Sequence, residues 1–292
     1  MSDKFPLNGF LAVNKEKGWT SFDAVSKTRS ILGGIKVGHA GTLDPNATGL
    51  LILGLNKFTK TLGSLAKLEK EYEGEIFLGA TSNTDDAEGE ITEKSKCKEL
   101  SKDEIKKTIE ENFSGKFSQR PPDFSAVKVG GVRSYAAARK GKQTTLPMKE
   151  VEMMDFKILD FKFPVLKIYI KCGSGFYVRS LARDLGEELK CGGYLKNLKR
   201  TSIGKIKVEK AIKIKDLSME NAEKHLLNIE DISTVPVKIL EKGKRFFMDQ
   251  KIDPVALGVK LKKEDDKFFL MSDIRFGVAE NINGIFKITK AL

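Results

Sequence analysis

Asp44 lies in a polar, glycine-punctuated segment, Gly38 to Gly49, that also contains His39. An Asp-Pro pair after small residues commonly initiates a turn, and most such aspartates bond only their own backbone. Its company shifts the balance. A histidine and glycines share the segment, and an isolated Arg179 follows a strand-like stretch and the pair Gly173 and Gly175. Aspartate, arginine and an aromatic ring are the parts needed to hold an ionised carboxylate against a base. Segments between regular elements are also where chemistry usually sits.

Other chemistries find less material. Gly173-Ser-Gly175 falls between a strand-like and a helix-like stretch, as a dinucleotide fingerprint would, but Val178 replaces the third glycine and no Walker A sequence occurs. His39 and His225 are the only histidines, and neither has a carboxylate or thiol at ligand spacing, so no metal is expected. A hydrolytic triad lacks Ser and Asp partners at nucleophile-elbow spacing. Cys97, Cys172 and Cys191 are odd in number and far apart, which fits a reduced cytoplasm rather than a disulfide framework. The longest apolar run, Leu50 to Leu53, is far too short to span a bilayer, and no membrane role is expected.

The net charge of +12 and the isoelectric point near 9.4 favour polyanionic partners, because Lys and Arg gain affinity by displacing phosphate counterions. A lysine-rich solvated surface would give the same totals, so position decides. From Tyr194 to Lys215 there are eight Lys or Arg against one Glu, interleaved with Leu195, Leu198, Ile203, Ile206 and Val208. That pattern suits a sheet that packs inward and tracks a phosphate backbone outward, with Lys199 and Arg200 as phosphate contacts.

The elements that must position these residues follow from periodicity. A strand over Phe10 to Val13 leads to Thr20 and Ser21, which cap a helix with Phe22, Val25 and Ile31 on one face, ending at Gly33 and Gly34. Leu50 to Leu53 is a strand, and Glu71 to Gly79 alternates so that Tyr72, Ile76 and Leu78 share a face. Ser101 to Glu104 is a capping box for a helix with Ile105, Ile109 and Phe113 inward. Thr144 to Phe163 and Val165 to Cys172 read as strands, and Leu181, Leu185 and Leu189 mark the next helix. Beyond Val235 come short strands, Lys267 to Met271 and Gly284 to Thr289. At 292 residues the chain has room for two cores. The expectation is an α+β fold without regular βα alternation, divided into residues 1–232 and a small β-rich unit, 233–292.

The segment Gly38-His-Ala-Gly-Thr-Leu-Asp-Pro-Asn-Ala-Thr-Gly-Leu50 resembles the catalytic signature of the tRNA pseudouridine(55) synthases. The resemblance continues through Lys70 to Gly74, Gln119 to Lys128, Gly131 to Tyr135, Cys172 to Gly186 and Gly192 to Gly204, covering about residues 9 to 215. It implies a mixed, mainly antiparallel sheet flanked by helices, a cleft across it, and a C-terminal RNA-binding unit of the PUA type. It implies isomerisation of a T-loop uridine, with Asp44 as the catalyst, Arg179 as its counter-charge and Tyr72 stacked on the flipped base. His39, Tyr177, Leu198 and Lys15 would complete the substrate site, although core packing also explains Leu198. The reaction moves a carbon–nitrogen bond to carbon and transfers no electrons or phosphate, so no cofactor is expected. The implied partner is the tRNA T-stem-loop, met by a monomer without an obligatory protein partner. A guide-RNA-dependent synthase and an RNA-folding chaperone remain alternatives. Two departures stand out: Glu16 where members often have proline, which implies a less rigid loop, and Asn83 where they usually have aspartate, which weighs against a charge network beyond the Asp44 and Arg179 pair.

Overall fold

The computed structural model describes residues 7–93, 100–124, 128–129, 132–133, 146–227, 229–232, 237–240, 246–247, 249–260, 267–271 and 276–291. In the first part of the chain the strands are β1 (Gly9–Lys15), β2 (Val37–His39), β3 (Ala47–Leu55), β4 (Lys70–Leu78), β5 (Ala80–Ser82), β6 (Ile91–Glu93) and β7 (Gly115–Gln119). They continue with β8 (Lys128–Val129), β9 (Val132–Arg133), β10 (Lys149–Lys162), β11 (Val165–Cys172), β12 (Gly193–Ile203), β13 (Ile206–Lys207), β14 (Ile212–Lys213) and β15 (Leu226–Leu227). The helices are α1 (Ser21–Ile31), α2 (Leu62–Leu65), α3 (Lys102–Phe113), α4 (Val178–Glu188) and α5 (Ile229–Ile232).

Alternation over β4 sends Tyr72, Gly74, Ile76 and Leu78 inward and Glu73 to solvent, as its period of two requires. β4 sits inside an eleven-stranded sheet whose main path is β14-β1-β3-β12-β4-β11-β10-β7. The pairs β3 with β12 and β1 with β14 are parallel, and the other pairs in this sheet are antiparallel. This is the mixed, mainly antiparallel α+β sheet that was expected. The expected strand at Leu50 to Leu53 is longer, because β3 is buried at every position except the half-buried Thr48 and so lacks an amphipathic edge to its pattern. The expected strand from Thr144 begins at Lys149, and residues 144–145 lie outside the described residues.

The expected capping box at Ser101 forms, and Thr20, expected to cap α1, does so through a second box, whereas the Ser21 hydroxyl bonds Leu43 instead. Thr20 Oγ1 accepts from the Asp23 amide while the Asp23 carboxylate accepts from the Thr20 amide, and Ser101 and Glu104 repeat the arrangement. The cap fixes α1 so that Ser21, Ala24, Val25 and Thr28 face inward, a stripe at helical spacing. Phe22, expected in the core, is one step off that stripe and 72% exposed. α3 buries Ile105, Ile109 and Phe113, and α4 buries Leu181 and Leu185, with Leu189 packed at its end.

A separate five-stranded sheet, ordered β16 (Val237–Ile239), β18 (Lys267–Met271), β19 (Phe276–Ile282), β20 (Ile285–Ala291) and β17 (Lys251–Ile252), is built from the last part of the chain. It has its own core of Phe246, Val259, Phe268, Leu270, Ala279 and Ile288. Ile232 packs instead into a cluster of the large sheet with Phe10, Ile52 and Ile203.

Candidate active site

The segment from Gly38 to Gly49 crosses between β2 and β3, and its backbone is held residue by residue. Arg200 on β12 donates from Nε to the Leu50 carbonyl (2.8 Å), from Nη2 to Gly41 (3.2 Å) and from Nη1 to Thr42 (3.5 Å). The Ser21 hydroxyl, at the start of α1, accepts from the Leu43 amide (2.8 Å) and donates to the Leu43 carbonyl (3.1 Å). The Asp44 carbonyl accepts from the Ala47 amide (3.0 Å), and the Pro45 carbonyl accepts from the Gly18 amide (2.9 Å) and Lys15 Nζ (3.3 Å). Every carbonyl from 41 to 45 therefore has a donor. Close approach requires glycine at position 49, where φ is +100° and a Cβ would lie 2.3 Å from the Arg200 carbonyl oxygen.

This cradle presents Asp44 to Arg179, which enters from the first turn of α4. Arg179 Nε lies 2.9 Å from Asp44 Oδ2, with the Arg179 side chain buried and that of Asp44 39% exposed. The other guanidinium nitrogens are fixed from behind. Nη1 reaches the Thr84 carbonyl (3.1 Å) and Asp86 Oδ2 (3.5 Å), and Nη2 donates to the Phe124 carbonyl (3.0 Å). Desolvation pushes the Asp44 carboxyl above its ordinary value, with Arg179 opposing, Asp86 adding repulsion and Lys15 opposing it. Arg179 thus favours the anion that burial disfavours.

The charge network extends beyond the expected pair. The hairpin of β5 and β6 is stitched to β12 by bonds from Leu195 to the Asp85 carbonyl and from Ala87 to the Leu195 carbonyl, which brings Asp85 and Asp86 to α4. Arg183, one helical turn after Arg179, pairs with Asp85 at 2.6 Å and with Asp184 at 2.8 Å. Asn83 takes no part in these ion pairs, since its Oδ1 accepts from the Glu90 amide and closes the hairpin turn. Asp86, Arg183 and Gln119 were not singled out from sequence, and Ser21 was read only as a helix cap. The spacing of Arg179 and Arg183 opposite the acidic pair Asp85 and Asp86 was the available signal.

Tyr72 is buried on β4, paired across the ladder with Arg200. Burial raises its hydroxyl pKa, and the neighbouring Arg200 guanidinium opposes that rise. His39, half-buried at the end of β2, has its pKa lowered by burial and then by the Arg200 charge, which favours the neutral ring. Tyr177 is the N-cap of α4, and the buried Gln119 side chain bonds both its amide and its carbonyl. Leu198 is half-buried against a cluster that includes Leu43, Ala47 and Tyr72.

Two assignments need correction. Arg200, expected to contact phosphate, is 1% exposed and its donors are taken by the loop. Lys15, expected at the substrate, is fully buried and donates to the carbonyls of Trp19, Glu16 and Pro45. Burial lowers its pKa to about 8, against the raising effect of Asp44. Lys199, by contrast, is exposed. Adjacent residues on a strand face opposite sides, so Lys199 and Arg200 cannot share one surface.

Comparison with known proteins gives the same reading of the fold and motifs. Residues 29–178 match the TruB family pseudouridylate synthase N-terminal domain, and residues 179–235 match the tRNA pseudouridylate synthase B C-terminal domain. The tRNA pseudouridine synthase B of Streptomyces avermitilis is 43% identical over 73% of each chain. That of Dehalococcoides mccartyi (strain ATCC BAA-2266) is 40% identical over 76% of this chain and 74% of its own. Among solved structures, a chain of a Cbf5-Nop10-Gar1 complex superposes with a TM-score of 0.70 at 22% identity, covering 97% of this chain and 84% of that one, a likeness of fold. With the family pattern matched on both sides of Arg179 and close relatives spanning most of the sequence, the chain belongs to the TruB family of pseudouridylate synthases.

Proposed function

We propose that this chain isomerises a uridine in the T-loop of tRNA, position 55 in tRNA numbering, to pseudouridine, with Asp44 as its covalent catalyst and no cofactor. The observation that carries the reading is the Asp44 carboxylate set 2.9 Å from a buried, fully engaged Arg179, in a chain of this family. The reaction breaks the bond from N1 to the ribose and joins C5 to the same carbon; the C5 proton leaves and N1 gains one. An anionic oxygen at the ribose or ring serves that exchange without an external electron source. The target base is stacked in the T-loop and has to be flipped out. Tyr72 would stack on it, His39 would fill the vacated place, and Tyr177 and Leu198 would line the pocket. The exposed Lys199 and residues 233–292, as a PUA-like unit, would meet phosphates. The protein would act as a cytoplasmic monomer without an obligatory protein partner.

The test is single-turnover conversion of a bare T-stem-loop carrying tritium at C5 of the target uridine, since tritium leaves only when C5 becomes the glycosidic carbon. Wild type should release it without guide RNA or other proteins. Asp44→Asn preserves size and most turn hydrogen bonds but removes the anion, so it should bind RNA with near-normal affinity and release none. Release at the wild-type rate by Asp44→Asn would refute the mechanism. Activity only in the presence of guide RNA and partner proteins would refute the substrate.

A further inference from the structure

Burying a guanidinium is costly unless its donors are met, and a carboxylate usually helps to meet them. Arg200 is the largest fully buried side chain among the described residues, yet no carboxylate there lies within ion-pair distance of it. Its donors go to the carbonyls of Gly41, Thr42 and Leu50, on both sides of Asp44. Its backbone is pressed against Gly49 on one neighbouring strand and paired with Tyr72 on the other. The positive charge of its guanidinium also opposes the rise that burial gives the Tyr72 hydroxyl pKa. An apolar side chain would fill this space without the desolvation cost, but it would remove the donors that Arg200 gives the Gly41, Thr42 and Leu50 carbonyls. A lysine would supply charge but not a planar fork that points at several acceptors at once.

We propose that Arg200 is a positioning residue for the isomerisation, a buried tie that fixes the Asp44 loop relative to Tyr72. The proposal rests on the functional reading above and assigns Arg200 no contact with RNA. Loosening the tie lets the loop carbonyls shift, and a displacement of about 1 Å at reacting groups can cost on the order of 100-fold in rate. The predicted loss therefore lies in the chemical step. A phosphate contact would instead affect affinity and its dependence on salt.

The experiment measures tritium release at saturating T-stem-loop, stem-loop affinity, and the slope of log affinity against log salt. In Arg200→Lys the single-turnover rate should fall by about 10- to 100-fold, with affinity within about twofold and the salt slope unchanged. Lys199→Gln, one residue away, should flatten the slope by about one unit. Tyr72→Phe should cost less in the Arg200→Lys background than in wild type, because the alignment of Tyr72 with the Asp44 loop is already loosened. If Arg200→Lys lowers affinity, flattens the slope and regains full rate at saturation, Arg200 is a phosphate contact and the proposal fails. A wild-type rate in Arg200→Lys, or strictly multiplicative losses with Tyr72→Phe, also overturns it. Should circular dichroism show Arg200→Lys unfolded, Gly41→Ala takes its place. That variant strains a residue at φ +87° and moves a carbonyl that Arg200 holds, so it must show the same rate-only signature. A wild-type rate there overturns the proposal. Absence of tritium release from wild type would sink the functional reading instead, independently of Arg200.

Discussion

In the proposed reaction Asp44 must be an anion, and the groups around it set the pH at which it becomes one. Its pKa is raised by burial and by Asp86, so the rate should fall with decreasing pH at a point above the ordinary aspartate value of 3.8. Asp86→Asn removes one repulsive charge and frees more of the Arg179 charge for Asp44, so this acidic limb should move to lower pH while the looser Arg179 lowers the plateau. Single-turnover rates between pH 4 and pH 7 would show it; an unmoved limb would mean that Asp44 does not govern it. Lys15 sets the other limit. With its pKa lowered to about 8, it loses the charge that faces Asp44 as pH rises past that value, and the rate should decline there. Stability should move the other way. Between about 8 and 10.5 the unfolded chain holds more protons on Lys15, and on Lys70, which is similarly lowered, so their contribution to stability grows with pH. Urea midpoints and rates on the same samples separate the two effects. The pairing of Asp44 with Arg179 was legible in sequence because each sits in a motif of the family pattern. Arg200 and Lys15 were misread because a charged residue on a strand or turn carries no local mark of burial.

Elements show the same division between local and distant information. The helix caps at Thr20 and Ser101, the alternation of β4 and β11 and the stripes of α3 and α4 were readable because each depends on residues a few positions apart. The parallel pairing of β3 with β12 was not, because it joins Ala47 to Leu198 and no local pattern specifies so distant a partner. That pairing nevertheless places Arg200 against the Asp44 loop. α1 has a similar role that its exposed Phe22 concealed: its first residue clamps the backbone of Leu43. Ser21→Ala should leave that buried amide and carbonyl without their partner, costing about 1–3 kcal/mol of stability and lowering the isomerisation rate. Ser21→Thr, which retains the hydroxyl, should recover much of both. In contrast, Ser101→Ala removes the cap of α3, whose Ile105, Ile109 and Phe113 pack in the core while its cap bonds none of the Gly38 to Gly49 segment, and should cost about 1 kcal/mol with little change in rate. Denaturant melts and tritium release, read together, distinguish a helix that holds the loop from one that only holds the fold.

At the scale of the whole molecule the surplus of positive charge must be divided between the two sheets. Residues 233–292 contain twelve Lys or Arg and eight Asp or Glu, a net of +4 out of the +12 of the chain. Most of the surplus therefore belongs to residues 1–232, which hold the loop, Arg179 and the exposed Lys199. If phosphate contacts follow charge, the C-terminal unit adds affinity but is not the main anchor. Its core of Phe246, Val259, Phe268, Leu270, Ala279 and Ile288 is separate from the three clusters of the large sheet, and Ile232 closes one of those. A chain ending at residue 232 should thus keep its fold and release tritium at near the full single-turnover rate once saturated. Its affinity for the stem-loop should be lower, and its salt slope reduced by less than half. Binding isotherms at several salt concentrations test the division. A truncated chain that has lost nearly all its salt dependence would place the main RNA contacts in the C-terminal sheet, and would return the basic stretch from Tyr194 to Lys215 to an ordinary solvated face.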